Sequence, residues 1–463
     1  MPDLSALKSD LPDIAFEEHP KLVQQKSRDF YWYSPVLKRQ LEHVTADAVV
    51  TPKSEAELLK IMGACYRHDI PLTVRGAGTG NYGQAMPLAG GLVVDMSAMN
   101  KVLDQGEGYV VAEPGAILAE IDKATRPNGQ ELRLSPSTYH TASIGGFIAG
   151  GSGGVGSIRW GGLRDAGNII EVRLALMDGE APTTLTLNGA DIAKASHAYG
   201  TTGLITRVEM PLANAYSWVD VLINFGELRH AVAFAEQLAG ADGLLLKNLS
   251  VVDKFVTPYF RRHRDFIDPN AALVMVMAAP FAMKDLADMA ARAGGALTYR
   301  SDEADEPTRA GLPPAFELGW NHTTLRALRV HDNTTYLQVL YPQPGIVDKV
   351  MAMADTFGDE VPTHLEFVRF DGAVGCFGLP LLRFSTEERL DEIVKIHEDA
   401  GCPIFNPHRY TLEEGGMKQT NDTQLAFKKR ADPKGLLNPG KMVAWDNPNF
   451  DYGKPYLFPT LAS

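Results

Sequence analysis

Two glycine-rich stretches, Arg75-Gly-Ala-Gly-Thr-Gly80 and Ser143-Ile-Gly-Gly-Phe-Ile-Ala-Gly-Gly-Ser-Gly-Gly-Val-Gly156, constrain this chain more than any other feature. Glycine reaches positive φ without strain and lets backbone N–H groups come close to a ligand, so such turns can cradle phosphates. A Rossmann fingerprint needs a strand, the glycines and then an amphipathic helix. Gly80 is followed instead by Asn81-Tyr-Gly-Gln-Ala-Met-Pro-Leu-Ala-Gly90 and then by the strand-like Leu92-Val-Val-Asp95. That excludes a dinucleotide helix at this point. Tight turns in a β-rich region are the plainer reading of either stretch taken alone.

Composition narrows the class. A length of 463 residues suggests two or three domains, and a chain this long buries roughly three quarters of its unfolded surface. The net charge of −13 argues against nucleic acid as a partner, because phosphate contacts need clustered Lys and Arg. The one basic knot, Arg261-Arg-His-Arg264, reads as a solvated corner. Cys65, Cys376 and Cys402 form no Cys-x-x-Cys pair, which disfavours a disulfide framework or a zinc site and suits a reducing compartment. The first ten residues lack the basic and apolar regions of a secretory signal, and no uncharged apolar run reaches the ~18 residues of a membrane span. A cytoplasmic protein without a transmembrane segment is expected.

Residues 1–44 read as a polar leader whose aromatic cluster, Phe30-Tyr-Trp-Tyr33, docks on the body. Ser54 and Glu57 make a capping box, and Leu58, Ile61, Met62 and Cys65 recur at helical spacing, which predicts an amphipathic helix. Pro71 closes it, and Leu72-Thr-Val74 begins a strand that runs into the first glycine turn. A strand over Tyr109–Ala112, a helix over Ala116–Ala124 and strands over Ile169–Met177 and Ile205–Leu212 follow. Further on, apolar strands at Val219–Phe225, Ala272–Ala278, Thr335–Leu340 and Gly375–Phe384 each precede a helical stretch, at Glu227–Ala239, Met283–Ala293, Gly345–Thr356 and Thr386–Ala400. This beat suggests two ferredoxin-like halves, an antiparallel sheet backed by helices, although periodicity alone leaves a parallel sheet open.

Several segments, in this order, resemble one family. They are Val50-Thr-Pro-Lys-Ser-Glu-Ala-Glu-Leu58, Pro71 to Gly80, Val93-Val-Asp-Met-Ser97, Val111-Ala-Glu-Pro-Gly115, Thr141-Ala-Ser-Ile-Gly-Gly146 and the tail Ala431-Asp-Pro-Lys-Gly-Leu-Leu-Asn-Pro-Gly-Lys-Met442. They resemble the vanillyl-alcohol oxidase / p-cresol methylhydroxylase (PCMH-type) FAD-binding flavoproteins, and most of all the glycolate-oxidase and D-lactate-dehydrogenase branch of FAD-linked oxidases. The resemblance implies an α+β fold: a two-subdomain FAD-binding domain with its leader over residues 1–212, a ferredoxin-like antiparallel-sheet cap that binds substrate over 213–404, and a C-terminal segment, 405–463, returning to the FAD domain.

The resemblance also implies a cofactor site. Arg75, Gly76, Ala77, Gly78, Thr79, Gly80 and Asn81 would form the pyrophosphate loop. Thr141, Ser143, Ile144, Gly145 and Gly146, then Gly150, Gly153, Gly154 and Gly156, would line the pyrophosphate and the flavin ring. Ile205 would face the adenine end, and Asn438, with Lys441 behind it in rank, would reach the ring from the C-terminal side. Many members attach FAD through a histidine in the first loop, here Thr79, and some add a cysteine before the Gly-Gly pair, here Tyr139. Non-covalent FAD is therefore expected, with His140 the alternative attachment point. The metal motif of the hydroxy-acid branch is also missing, since Gly375-Cys-Phe-Gly-Leu-Pro-Leu381 holds no His, Asp or Glu. No metal is expected.

For alcohol oxidation the chain must take up the O–H proton while hydride goes to flavin N5, and His or Tyr suits that task. His408 occupies the family's active-site histidine slot, with Arg409 and Tyr410 beside it. His322, Tyr336, Arg326, Arg329, His364 and Glu366 are the cap candidates. The expected function is an FAD-dependent oxidoreductase acting on a small alcohol or hydroxy acid. The alternatives are a non-redox flavin-adduct synthase of the same fold and a flavin-binding subunit without turnover. No residue pattern selects the electron acceptor, and a homo-oligomer is compatible with the sequence.

Overall fold

The computed structural model describes residues 4–151, 153–415, 422–447 and 449–451. The expected capped helix is present as Glu55–Arg67: Ser54 Oγ accepts the Glu57 N–H at 3.2 Å, and Leu58, Ile61, Met62 and Cys65 are fully buried. It covers a four-stranded sheet in the order Phe16–Glu17, Ala48–Val50, Leu92–Asp95, Leu72–Arg75, whose last three strands are parallel. A six-stranded antiparallel sheet follows, in the order Val102–Gly106, Tyr109–Ala112, Leu204–Asn214, Glu171–Ala175, Thr184–Asn188, with Gln130–Leu132 pairing beside the long strand.

The cap is one seven-stranded sheet, antiparallel throughout, in the order Ala296–Arg300, Val219–Phe225, Ala272–Ala278, Leu246–Val252, His364–Phe370, Ala373–Gly378, Val339–Tyr341. That settles the question periodicity left open. Side chains alternate across a strand, so a strand covered on both faces must be apolar throughout. In Ala272–Ala278, Val274 and Val276 join the cluster formed with the helices Leu228–Ala239 and Met283–Arg292, while Leu273 and Met275 enter a second cluster with Phe260, Tyr299 and Leu318. The expected strands at Thr335–Leu340 and Gly375–Phe384 each divide in two, because Thr334–Tyr336 and Leu381–Arg383 leave the large sheet to pair with each other. The expected leader docks: Phe30 N–H donates to Gly80 O at 2.7 Å, and Thr335 Oγ1 donates to Tyr33 O at 2.7 Å.

The chain then returns to the first sheet. Leu72 N–H donates to Leu436 O and Asn438 N–H to Leu72 O, both at 2.8 Å. We propose domain boundaries near residues 212 and 404; the third unit, 405–463, lies partly outside the described residues. The return is fixed by a buried ion pair. Asp432 accepts Lys428 Nζ at 2.8 Å and the N–H groups of Leu436 at 2.9 Å and Leu437 at 2.8 Å, and Lys428 also reaches Thr201 O at 3.0 Å. Removing one member of such a pair leaves an uncompensated buried charge. Asp432→Ala is expected to destabilise the fold by about 3–5 kcal/mol, read by denaturant unfolding. A loss near zero would mean the pair does not anchor the return.

Candidate flavin and substrate cleft

The strand Leu72–Arg75 opens directly into the turn Gly76–Asn81, and this turn packs backbone to backbone on the second glycine stretch. A Cβ on Gly76 would collide with Ser143 Oγ and sit 3.4 Å from Gly146 Cα, and Ser143 Oγ accepts the Ala77 N–H at 3.3 Å. Sequence reasoning treated Ser143–Gly156 as a turn, but Ile144–Gly150 is helical and closes at Gly151 with φ 66°. Burial of Ile144, Phe147 and Ile148 in the core overrides the low helix propensity of its glycines. Gly145 rests on Pro114, where a Cβ would lie 2.5 Å from the proline Cβ.

These segments form one side of a long cleft. Of the expected cofactor residues, Gly76, Ala77, Gly78, Thr79, Gly80, Asn81, Ser143, Gly145, Gly146, Gly150, Gly153 and Ile205 line it. Six expected cofactor residues do not. The Arg75 guanidinium turns away to Arg28 O, to Ala77 O at 3.2 Å and to Lys26 O at 3.3 Å, and so staples the leader to the turn. Thr141 is solvent-exposed, and Ile144 is wholly in the core. Gly154 and Gly156 press on the carbonyls of Ser135 and Arg133. Asn438 stands one layer back, its Nδ2 donating to Tyr199 O at 2.7 Å and Gln84 O at 2.9 Å, and both of those residues line the cleft. Lys441 Nζ donates to Gly83 O at 2.6 Å; burial pushes its pKa down to about 7, with Asp29 opposing. Burial raises Asp29 to about 6, while its carboxylate accepts Tyr31 N–H at 2.9 Å and Ala85 N–H at 3.2 Å.

Of the five expected catalytic residues, His322 alone lines the cleft. Burial, then Arg326, Arg329 and His140, holds its pKa down at about 4, so its imidazole is neutral near pH 7. His408 is corrected to a structural role. Its Nε2 lies 3.0 Å from Tyr336 O, an acceptor only, so Nε2 carries the proton; Nδ1 then accepts Ser34 Oγ at 2.7 Å. Neither nitrogen remains for a substrate. Tyr410 packs with Leu41 and Met86 under Lys441, and Arg409 lies half-buried on the Asp391 side, both away from the cleft. Tyr336 is fully buried behind Tyr33 and Tyr82.

Sequence reasoning missed the rest of the cleft. Asp29, Phe30 and Tyr33 come from the leader, Tyr82 and Gln84 from the chain just after the first turn, and Trp320, Gln338, Phe377 and Phe405 from the cap and its exit. His197 also lines it, at φ 52°, with its pKa lowered to about 4 by burial. Tyr82 and Gln84 were within reach of the glycine motif; the others are assembled from distant sequence. Tyr139, the expected counterpart of the family's cysteine, donates its Oη to Asp122 at 2.8 Å, and His140 is exposed. Among the described residues no group of three His, Cys, Asp or Glu side chains is placed to hold a metal, and no helix is long and apolar enough to cross a membrane.

A cleft floored by two glycine-rich segments and roofed by an antiparallel cap is the architecture of a PCMH-type flavoprotein. Residues 46–184 match the family model described as FAD binding domain (FAD_binding_4). The chain carries this FAD-binding domain and is an FAD-linked oxidoreductase. The glycolate oxidase subunit GlcD of Bacillus subtilis (strain 168) is 26% identical over 440 residues, spanning 86% of this chain and 89% of that protein. Alkyldihydroxyacetonephosphate synthase shares the fold, with a TM-score of 0.68 at 17% identity over 92% of this chain and 83% of that one. So does 4-ethylphenol oxidase from Gulosibacter chungangensis, with a TM-score of 0.65 at 17% identity over 92% and 93% of the two chains.

Two outcomes are expected. Gly76→Ala inserts a Cβ that collides with Ser143 Oγ between the two turns, and should yield mostly flavin-free protein by the ratio of flavin to protein absorbance; full occupancy would place the cofactor elsewhere. His408 has a folded pKa of about 3, below its unfolded value. The unfolded chain therefore binds the proton first, and stability falls as pH drops below about 6.5 and continues to fall toward pH 3. His408→Asn should reduce that slope while keeping FAD bound.

Proposed function

We propose that the protein oxidises a small alcohol or hydroxy acid by hydride transfer to the flavin of a non-covalently held FAD. The observation that carries this reading is the neutral His322 imidazole facing the same cleft as the glycine turns. The likeness to a glycolate oxidase subunit along most of both chains supports it. FAD, when bound, supplies the hydride acceptor. The chain's residues do the rest. N–H groups of Gly76–Asn81 and Ser143–Gly146 would hold the pyrophosphate, with Ile205 at the adenine end. The cap and leader exclude water from the reacting carbon. His322 would accept the substrate hydroxyl proton; burial first, and then the charge of Arg326, which is held by hydrogen bonds to Glu317 O at 3.2 Å and 3.3 Å, keep it neutral.

Thr79 and Tyr139 offer no histidine or cysteine for the family's attachment points, which supports non-covalent binding; acid precipitation should then release the yellow chromophore. The buried free thiols of Cys65, Cys376 and Cys402 support a cytoplasmic setting. Anaerobic addition of substrate should bleach the bound flavin and yield an oxidised product. His322→Asn should keep FAD but slow that bleaching roughly 10²-fold. The wild-type rate should fall as pH drops through about 4, where His322 takes its proton in advance. An unchanged rate in the variant would contradict the assignment of the proton acceptor.

A further inference from the structure

His322 is held in the cleft by the helix that carries it. Among the described residues no hydrogen bond reaches its imidazole, so where the ring points follows from how the helix Trp320–Leu328 begins. Gly319 stands at the N-cap and offers no side chain. Trp320, the first helical residue, has φ 50°, a conformation a bulky residue rarely adopts and keeps only where its surroundings impose it. The first N–H groups of a helix lack partners within it and carry partial positive charge. Here the partner comes from another element. Glu366, fully buried on the strand His364–Phe370 and 46 residues further along the chain, accepts the Trp320 N–H at 2.6 Å.

A closed network fixes that carboxylate. Glu366 also accepts the Ser250 hydroxyl at 2.6 Å and His364 Nε2–H at 2.8 Å. Asn248 donates to Ser250 Oγ at 2.8 Å and accepts the Trp320 indole N–H at 3.1 Å, so the tryptophan is gripped at its backbone and at its side chain. Gly319 is required beside it, because a Cβ there would come 2.7 Å from Glu366 Oε1 and 2.9 Å from Ser250 Oγ. Nothing in the sheet itself asks for an acid at this place. Leu365 and Phe367 enter the main cap core, and Val368, on the same face of the strand as Glu366, joins the apolar cluster that holds Met277 and Trp320. Among the described residues no Lys or Arg pairs with Glu366. Its service is to the start of the helix. Successive helical residues stand about 100° apart around the axis, so a first turn that slipped by one residue would swing His322 away from the cleft.

We infer that Glu366 is a positioning residue for His322: by holding the Trp320 N–H it sets where the helix starts and how it is rotated, and so keeps the imidazole facing the cleft. This rests on the reading of His322 as the proton acceptor but is tested without turnover. His322 faces Arg326 and Arg329 of its own helix and His140 of the FAD domain, and all three stay in place in the variants below. The imidazole proton–nitrogen NMR signals of the FAD-loaded, histidine-labelled protein are followed from about pH 5 to about pH 8, where an ordinary histidine changes charge. The His322 signal is the one lost in His322→Asn. In the wild type it should remain that of a neutral ring across the whole span. Glu366→Ala should release the helix start and let water reach the ring, so that the signal titrates with a midpoint of about 6. Glu366→Gln, which keeps an acceptor for the Trp320 N–H, should restore the wild-type behaviour. Should Glu366→Ala fail to hold FAD, Gly319→Ala, whose Cβ pushes on the same carboxylate, carries the test with the same expected result. A signal that does not titrate in whichever of these two holds FAD, or a Glu366→Gln protein that titrates as Glu366→Ala does, would overturn the inference. If the signal responds as expected while His322→Asn still reduces its flavin at the wild-type rate, the positioning stands and the proton-acceptor reading fails instead.

Discussion

The site depends on a contact between two backbones. Gly76 lies close to Gly146 with only the Ser143 hydroxyl at the junction, where Ser143 Oγ accepts the Ala77 N–H at 3.3 Å. A Cβ on Gly76 would collide with Ser143 Oγ, which its bond from the Ala77 N–H holds in place, and would sit 3.4 Å from Gly146 Cα. Everything around the junction serves to hold it. The leader is tied to the first turn through Phe30 and Arg75, and the C-terminal return is tied to the strand that feeds it through Leu436 and Asn438. Three segments remote in sequence thus meet at one turn, and a small shift in any of them would move the cleft floor.

Enclosure has an electrostatic consequence. Taking an imidazole out of water disfavours its charged form, and His197, His322 and His408 are all driven well below the usual histidine range, burial being the first cause each time. What separates them is what their nitrogens face. His408 is closed off between Ser34 and Tyr336, whereas His322 opens on the cleft. A neutral imidazole aimed at a water-poor space can take a proton from a substrate; one with both nitrogens occupied can only hold structure.

Local signals were legible in the sequence. The Ser54 cap, the helix face of Leu58, Ile61, Met62 and Cys65, and the strands Val219–Phe225 and Ala272–Ala278 follow from patterns within a few residues, and each is present. The glycine turns were legible because close backbone approach demands glycine whatever lies opposite. His408 was misjudged because a matching position along the chain says nothing of its neighbours, and Ser34 is 374 residues away. Arg75 stands off the cleft for the same reason: carbonyls of the leader, remote in sequence, claim its guanidinium. The strain at Trp320 and the network around Glu366 have no sequence signature, since they arise from register between the strands Leu246–Val252 and His364–Phe370.

The central claim is that the two glycine segments and the leader together form one FAD cradle. Amide hydrogen exchange on the flavin-stripped protein, with and without added FAD, tests it directly. The account predicts that FAD slows exchange in peptides covering residues 28–34, 76–85 and 143–151 together. Protection confined to other segments, or to one glycine stretch without its partner, would contradict it.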